Sequence, residues 1–148
     1  MSAVSTVQQV DLSKGIVKGA IAGLGGGVVF GMMMAMMGML PMVAGLVGSE
    51  SPVVGALVHM VISAAIGAFY GAALTLGRFK LSTGFAVVSG MINGVIWWVL
   101  GALILMPIGL GMANMVFQIG TTQWLSLMGH LIYGVVTGLL FVWLIRRG

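Results

Sequence analysis

The sequence predicts an all-α integral membrane protein, a four-helix transmembrane bundle with both termini in the cytoplasm. Of the 148 residues, 60% are hydrophobic and only 5% are charged, whereas a soluble domain carries about a quarter charged residues. A helix needs about 20 apolar residues to cross a bilayer, so four crossings with short connections occupy almost the whole chain. We therefore expect a polar tail at residues 1–14 and a single transmembrane domain at residues 15–148, with no room for a catalytic module outside the membrane.

Uninterrupted apolar stretches define the predicted spans. Each is long enough to cross a hydrocarbon core of about 30 Å. None alternates apolar and polar residues as a membrane β-strand does, and all run well past the length of about ten residues of such a strand. We therefore expect helices at Gly19–Leu40, Val53–Leu76, Gly84–Met106 and Trp124–Ile145.

All the Lys and Arg residues fall on one side of this scheme. They precede the first span, join the second span to the third and follow the fourth, so the positive-inside rule places this side in the cytoplasm. The net charge of +4 is then explained by anchoring of helix ends, and no nucleic-acid partner is expected. The connections on the outer side carry a single charged residue, Glu50. The cations are Lys14, Lys18, Arg78, Lys80, Arg146 and Arg147.

The two halves of the chain look like copies of one helix pair. A shift of 67 residues aligns Gly23 with Gly90, and a shift of 71 residues aligns His59 with His130. The repeats cover residues 15–76 and 82–146. Because each copy begins on the same side of the membrane, the sequence predicts two parallel repeats related by an axis along the membrane normal. The difference between the shifts falls in the outer connection at residues 107–123, which we expect to lie in the membrane interface as a short amphipathic or re-entrant segment.

Small residues recur every four positions along the predicted helices. That spacing places them on one face, where they let two helix backbones approach closely. The alternative is that they leave room for a flat ligand or a pore. The rows are Gly15, Gly19, Gly23, Gly27, Gly31 and Ala35 in the first helix, His59, Ser63, Gly67 and Gly71 in the second, Ser82, Ala86, Gly90 and Gly94 in the third, and His130, Gly134 and Gly138 in the fourth.

His59 and His130 share a repeat position and a depth of roughly 10 Å from the outer helix ends. An ionisable group at such a depth needs a partner. Both imidazoles could ligate one b-type haem, or each could bind a chlorophyll-type pigment, with Gly67, Gly134 and Gly138 giving room for the macrocycle. In the other interpretations each histidine donates an interhelical hydrogen bond, to a backbone carbonyl or to Ser63, Ser126 or Tyr133, or forms part of a proton or ion pathway.

Methionines cluster at the end of the first span. Thioethers are soft ligands for Cu(I), and two pairs lie one helical turn apart. Because the run covers every side of the helix, the alternative is that flexible Met side chains fill gaps or face lipid and partner subunits. The chain has no Cys, which excludes thiolate sites. The cluster comprises Met32, Met33, Met34, Met36, Met37, Met39 and Met42.

The segment from Gly19 through Gly71 contains GGVVFGMMM, MLPMVAGLVGSES and VVGALVHMVISAAIGAFYG. It resembles the small prokaryotic membrane proteins with four transmembrane helices and unknown function that occur in bacteria and archaea. The resemblance covers mainly the first half and implies a location in the inner (plasma) membrane. It implies no activity and no site residues.

The sequence favours a non-catalytic membrane protein, because it contains no acid-base pair and no nucleophile motif. We expect an accessory or scaffold subunit of a larger membrane complex, with the lipid bilayer and other membrane subunits, or further copies of itself, as partners. The first alternative is a protein that binds haem or a chlorophyll-type pigment through His59 and His130. The second is a small channel or transporter for protons, Cu(I) or a small solute, centred on these histidines and Glu50.

Overall fold

The computed structural model describes residues 10–147, and within this range the chain is helical with no β-strand. A π-helical segment at Trp98–Leu105 lies within the third span, Thr83–Gly109. The helices are α1 (Leu12–Met36), α2 (Leu40–Ala44), α3 (Pro52–Leu76), α4 (Thr83–Trp97), α5 (Met106–Gly109) and α6 (Thr121–Arg147).

Four helices among the described residues are long and apolar enough to cross a membrane, as the sequence predicts. The first starts earlier than its apolar stretch, at Leu12, because Asp11 caps it: the Asp11 carboxylate accepts a hydrogen bond from the Ser13 amide at 3.3 Å. It also ends at Met36 and not at Leu40. Gly38 turns the chain with a φ of +67°, a conformation that glycine adopts at little cost.

The helices pack in the order α3, α1, α6, α4. Helix α1 lies at the centre with α3 on one side and α6 on the other, and α6 in turn packs against α4. The backbones of α3 and α4 stay apart, and side chains bridge them: the Tyr70 and Ser89 hydroxyl groups lie 2.7 Å from each other. One side of the bundle is therefore held by side chains and the other three by close helix packing.

One end of the bundle carries all the cations, and we call it the basic end. Here the Lys18 ammonium group donates a hydrogen bond to the Leu144 carbonyl at 2.9 Å, and the Arg146 guanidinium group donates one to the Leu81 carbonyl at 3.2 Å. Cations near the C-terminus of a helix interact favourably with its exposed carbonyl groups. These contacts join the end of α6 to α1 and to the start of α4.

The opposite end is closed by the two other connections. Helix α2 packs against α3, where a methyl group at Gly55 would meet the Leu40 carbonyl. In the second connection the Trp98 indole donates a hydrogen bond to the Gln123 carbonyl at 2.9 Å, and the Phe117 amide donates one to the Leu103 carbonyl at 3.2 Å. The segment at residues 107–123 therefore folds back on the end of its own span.

Candidate functional site

The seam between α1 and α3 is built from the two predicted rows of small residues. A methyl group at Gly67 would lie 2.6 Å from the Gly23 Cα atom, and one at Gly19 would lie 2.9 Å from the Gly71 Cα atom. Real side chains do not approach so closely, so the two main chains touch without side chains between them. The row continues to Gly31, where a methyl group would lie 3.2 Å from the His59 ring.

The seam between α4 and α6 uses the equivalent rows. A methyl group at Gly90 would meet the Gly134 carbonyl group, and one at Gly94 would meet the His130 carbonyl group. Gly138 packs in the same way against the Ala86 carbonyl oxygen. The glycines that the sequence singled out therefore lie within the bundle at helix–helix contacts, and the room predicted for a macrocycle at Gly67, Gly134 and Gly138 is filled by neighbouring main chain.

A second small-residue face of α1 was not predicted. A methyl group at Gly26 would lie 2.8 Å from the Tyr133 carbonyl oxygen, and Gly129 of α6 lies directly against the Phe30 ring. Successive helical residues are about 100° apart, so Gly26 faces α6 whereas Gly27 faces α3. The run of consecutive glycines from Gly25 to Gly27 is the sequence signal that α1 has small residues on both of these faces. Ala35, the last member of the predicted row, is exposed.

His59 is buried between α3 and α1. Its Nε2 atom lies 3.0 Å from the Gly27 carbonyl oxygen and 3.5 Å from the Ser63 hydroxyl oxygen. A carbonyl only accepts hydrogen bonds, so Nε2 carries the proton and donates it to Gly27. This is one of the hydrogen bonds that the sequence allowed, and it joins two helices.

His130 forms its hydrogen bonds within its own helix, so the interhelical bond predicted for it is wrong. Its Nδ1 atom lies 2.8 Å from the Ser126 carbonyl oxygen, one turn earlier in α6, and 3.3 Å from the Ser126 hydroxyl oxygen. By the same argument Nδ1 carries the proton. The two histidines therefore have opposite tautomers, although the sequence predicts that they are equivalent.

The Phe30 ring contacts both histidines. Its centroid lies 5.3 Å from that of His59 and 4.9 Å from that of His130, with the rings edge to face. Such pairs are favourable beyond the area they bury. Close by, the Tyr133 hydroxyl group donates a hydrogen bond to the Ser63 carbonyl at 2.8 Å. We call these residues the histidine cluster: Phe30, His59, Ser63, Ser126, His130 and Tyr133.

The histidine cluster does not fit a haem held by both imidazoles. Such a haem places its ring between two facing histidines, and here Phe30 packs against both imidazole rings. The glycines expected to make space for the ring are covered by helix backbones. The cluster is instead a packed, hydrogen-bonded contact among α1, α3 and α6.

The remaining predicted site residues do not join the cluster. Glu50 is exposed in the connection before α3, and the part of the chain that the structure describes contains no group of three or more His, Cys, Asp or Glu residues that could hold a metal ion. The methionine run is divided. Met34 is buried beside Phe30, whereas Met32 and Met36 are 56% and 80% exposed on the outer surface of α1.

The described helices have the length, composition and packing of a multi-pass membrane protein with a four-helix bundle. Comparison with protein-family models, with curated proteins and with solved structures finds no match to this chain.

Proposed function

We propose that this protein is a non-catalytic accessory or scaffold subunit of a larger membrane complex in a prokaryotic inner membrane. The observation that carries the proposal is the state of the intramembrane histidines, each hydrogen-bonded to a main-chain carbonyl and packed on Phe30. The His59 hydrogen bond joins α3 to α1, and the Phe30 ring of α1 packs against both imidazoles, so these contacts hold the helices in position.

The outward face of α1 is the surface that we assign to a partner helix. The glycine rows lie inside the bundle, so they are not available to another subunit. Met32 and Met36 lie one turn apart and point away from the bundle. Unbranched, polarizable Met side chains adapt to the shape of a neighbouring helix, and this property suits a contact with another membrane subunit or with a second copy of the chain.

Site-specific photocrosslinking tests the role of this face. A crosslinker replaces Met36 on α1 or, as the matched control, Val61 on α3, which is 71% exposed on a different helix. We expect one protein adduct of defined mass from position 36 and lipid adducts alone from position 61. The substitution Met36→Trp should also remove the crosslinked subunit from material purified in mild detergent, whereas Val61→Trp should not.

A stable monomer with a specific transport activity would contradict the scaffold role. A second candidate function, transport of protons, Cu(I) or a small solute, is favoured by the polar groups of three helices that meet in the histidine cluster. Flux into liposomes tests it: loss of flux in His59→Ala and His130→Ala would support a pathway through the cluster, and unchanged flux in both would exclude these side chains from one.

The same bundle supports our inference that the chain is a duplicated helix pair. The alignment of the two halves pairs Gly23 with Gly90 and Ser63 with Gly134, and in each half the first residue packs against the carbonyl group of the second. The halves differ in that α1 packs closely on α6 whereas α3 does not pack closely on α4.

Reporter fusions at the two ends of the chain test the cytoplasmic location proposed for both termini.

A further inference from the structure

A cavity lies at the basic end, between the start of α4 and the end of α6. Its volume is about 410 Å³, and its lining combines an apolar wall with a cation and a hydroxyl group. Leu139 and Trp143 are partly exposed, so the cavity opens toward the surrounding lipid. The lining residues are Thr83, Leu139, Leu140, Val142, Trp143 and Arg146.

Arg146 lines this cavity with one anchoring hydrogen bond. One of its N–H groups donates to the Leu81 carbonyl, and a guanidinium group has further N–H donors for a phosphate oxygen. The neighbouring Arg147 guanidinium group stacks over the Trp143 ring at 4.3 Å. Thr83 is the first residue of α4, and its side chain brings a hydroxyl group to the cavity. The Ser82 hydroxyl group caps this helix by accepting a hydrogen bond from the Phe85 amide. A guanidinium group and a hydroxyl group therefore lie at the mouth of an apolar groove.

Among the residues that the structure describes, no acidic side chain lines this cavity. The chain has only two acidic residues. One of them, Glu50, lies in a connection at the opposite end of the bundle, and the other, Asp11, lines a different cavity. We propose that the cavity between α4 and α6 binds an anionic phospholipid, with the phosphate on Arg146 and Thr83 and an acyl chain along Leu139 and Trp143.

The first helix pair provides a matched control. A cavity of about 400 Å³ lies in the corresponding place, between the start of α1 and the end of α3, and it too is lined by an arginine, Arg78. Asp11 also lines it, and a carboxylate disfavours a phosphate at the same site. The two arginines thus have equal charge and similar location but different surroundings.

Native mass spectrometry of the delipidated full chain tests the proposal with dioleoyl phosphatidylglycerol and dioleoyl phosphatidylcholine as probes. We expect the wild type to prefer the anionic lipid about fivefold, the factor that one basic residue contributes at an anionic membrane surface. Arg146→Gln should abolish the preference, and Arg78→Gln, which removes the same charge, should retain it. An absent preference in the wild type, or an equal loss in both variants, would overturn the proposal.

Two further experiments distinguish binding of a lipid from binding of a free anion, and one of them does not depend on the folding of Arg146→Gln. Leu139→Trp narrows the groove and leaves every charge in place, so it should weaken phosphatidylglycerol binding even if Arg146→Gln fails to fold. Inorganic phosphate in large excess should not displace the lipid, because the acyl chain contributes to binding. Displacement by phosphate, or unchanged affinity in Leu139→Trp, would show that the groove is not a lipid site.

Discussion

The Tyr133 phenol donates a hydrogen bond of 2.8 Å to the main-chain carbonyl group of Ser63. The two residues lie on α6 and α3, in different helix pairs, and the Ser63 carbonyl oxygen also faces Gly23 of α1. This oxygen atom of α3 therefore contacts both α1 and α6. Because no water competes for hydrogen bonds within the hydrocarbon region, this contact fixes the rotation of α6 relative to the first pair.

The substitution Tyr133→Phe should destabilise the bundle modestly. Hydrogen bonds between membrane helices contribute about 0.6 kcal/mol on average and up to about 1.7 kcal/mol, and we expect a loss in this range in the free energy of unfolding measured by steric trapping. Ser63→Ala is the control, because it retains the main-chain oxygen. The Tyr133→Phe loss should be the same in the Ser63→Ala background, and a smaller loss there would contradict a bond to the carbonyl.

The substitution Gly67→Ala should separate α3 from α1. Its methyl group would lie 2.6 Å from the Gly23 Cα atom, and main chain cannot move aside as a flexible side chain can. We expect the free energy of unfolding to fall by about 1–3 kcal/mol, the cost typical of overpacking, or by more. Gly101→Ala is the matched control because open space surrounds Gly101, and it should change stability by no more than about 1 kcal/mol. Equal losses would show that the seam is not closely packed.

Removal of the Phe30 ring should open a cavity between the two histidines. Phe30 is 5% exposed and contacts His59, His130 and Gly129. Truncation of a buried phenylalanine costs about 3–5 kcal/mol, so Phe30→Ala should lower the thermal unfolding temperature strongly in detergent. Phe69→Ala, at a side chain that is 67% exposed, should have a small effect. A small effect of Phe30→Ala would mean that the histidine cluster is loosely packed.

The start of α1 should depend on pH through Asp11. A hydrogen bond from the Ser13 hydroxyl group lowers the pKa of the Asp11 carboxyl group below its usual value. A lowered pKa in the folded state means that the stabilising contribution is complete above the pKa of the unfolded chain and is lost as the pH falls through the folded value. The Gly15 amide donates to the Asp11 carbonyl at 2.9 Å, so its hydrogen exchange reports this first turn.

We expect protection of the Gly15 amide to decline only when the pH falls below the ordinary range for an aspartate. Ser13→Ala should move this decline to higher pH, because the pKa of Asp11 then returns toward its usual value. Asp11→Asn retains a capping side chain but removes the titration, and its exchange should not show the acid transition. An acid transition that persists in Asp11→Asn would assign the effect to another group.

The sequence did not predict most of the contacts within the histidine cluster. The spacing of His59, Ser63 and Gly67 placed them on one face of a helix, and it allowed either a hydrogen bond or a ligand. It gave no indication that Phe30 contacts both imidazoles, because a contact among three helices depends on how each one is rotated. It also predicted equivalent histidines, whereas the structure gives them different carbonyl partners.

The sequence by itself determined the four spans, the common side of the cations and the rows of small residues, since length, charge order and spacing are properties of each segment alone. The tertiary structure decided which rows meet, that Gly26 serves α6 while Gly27 serves α3, and that Phe30 packs between the histidines. It also decided that Arg146 borders a groove. These relationships join residues far apart in the chain, and they exist only once the backbones have packed in one particular arrangement.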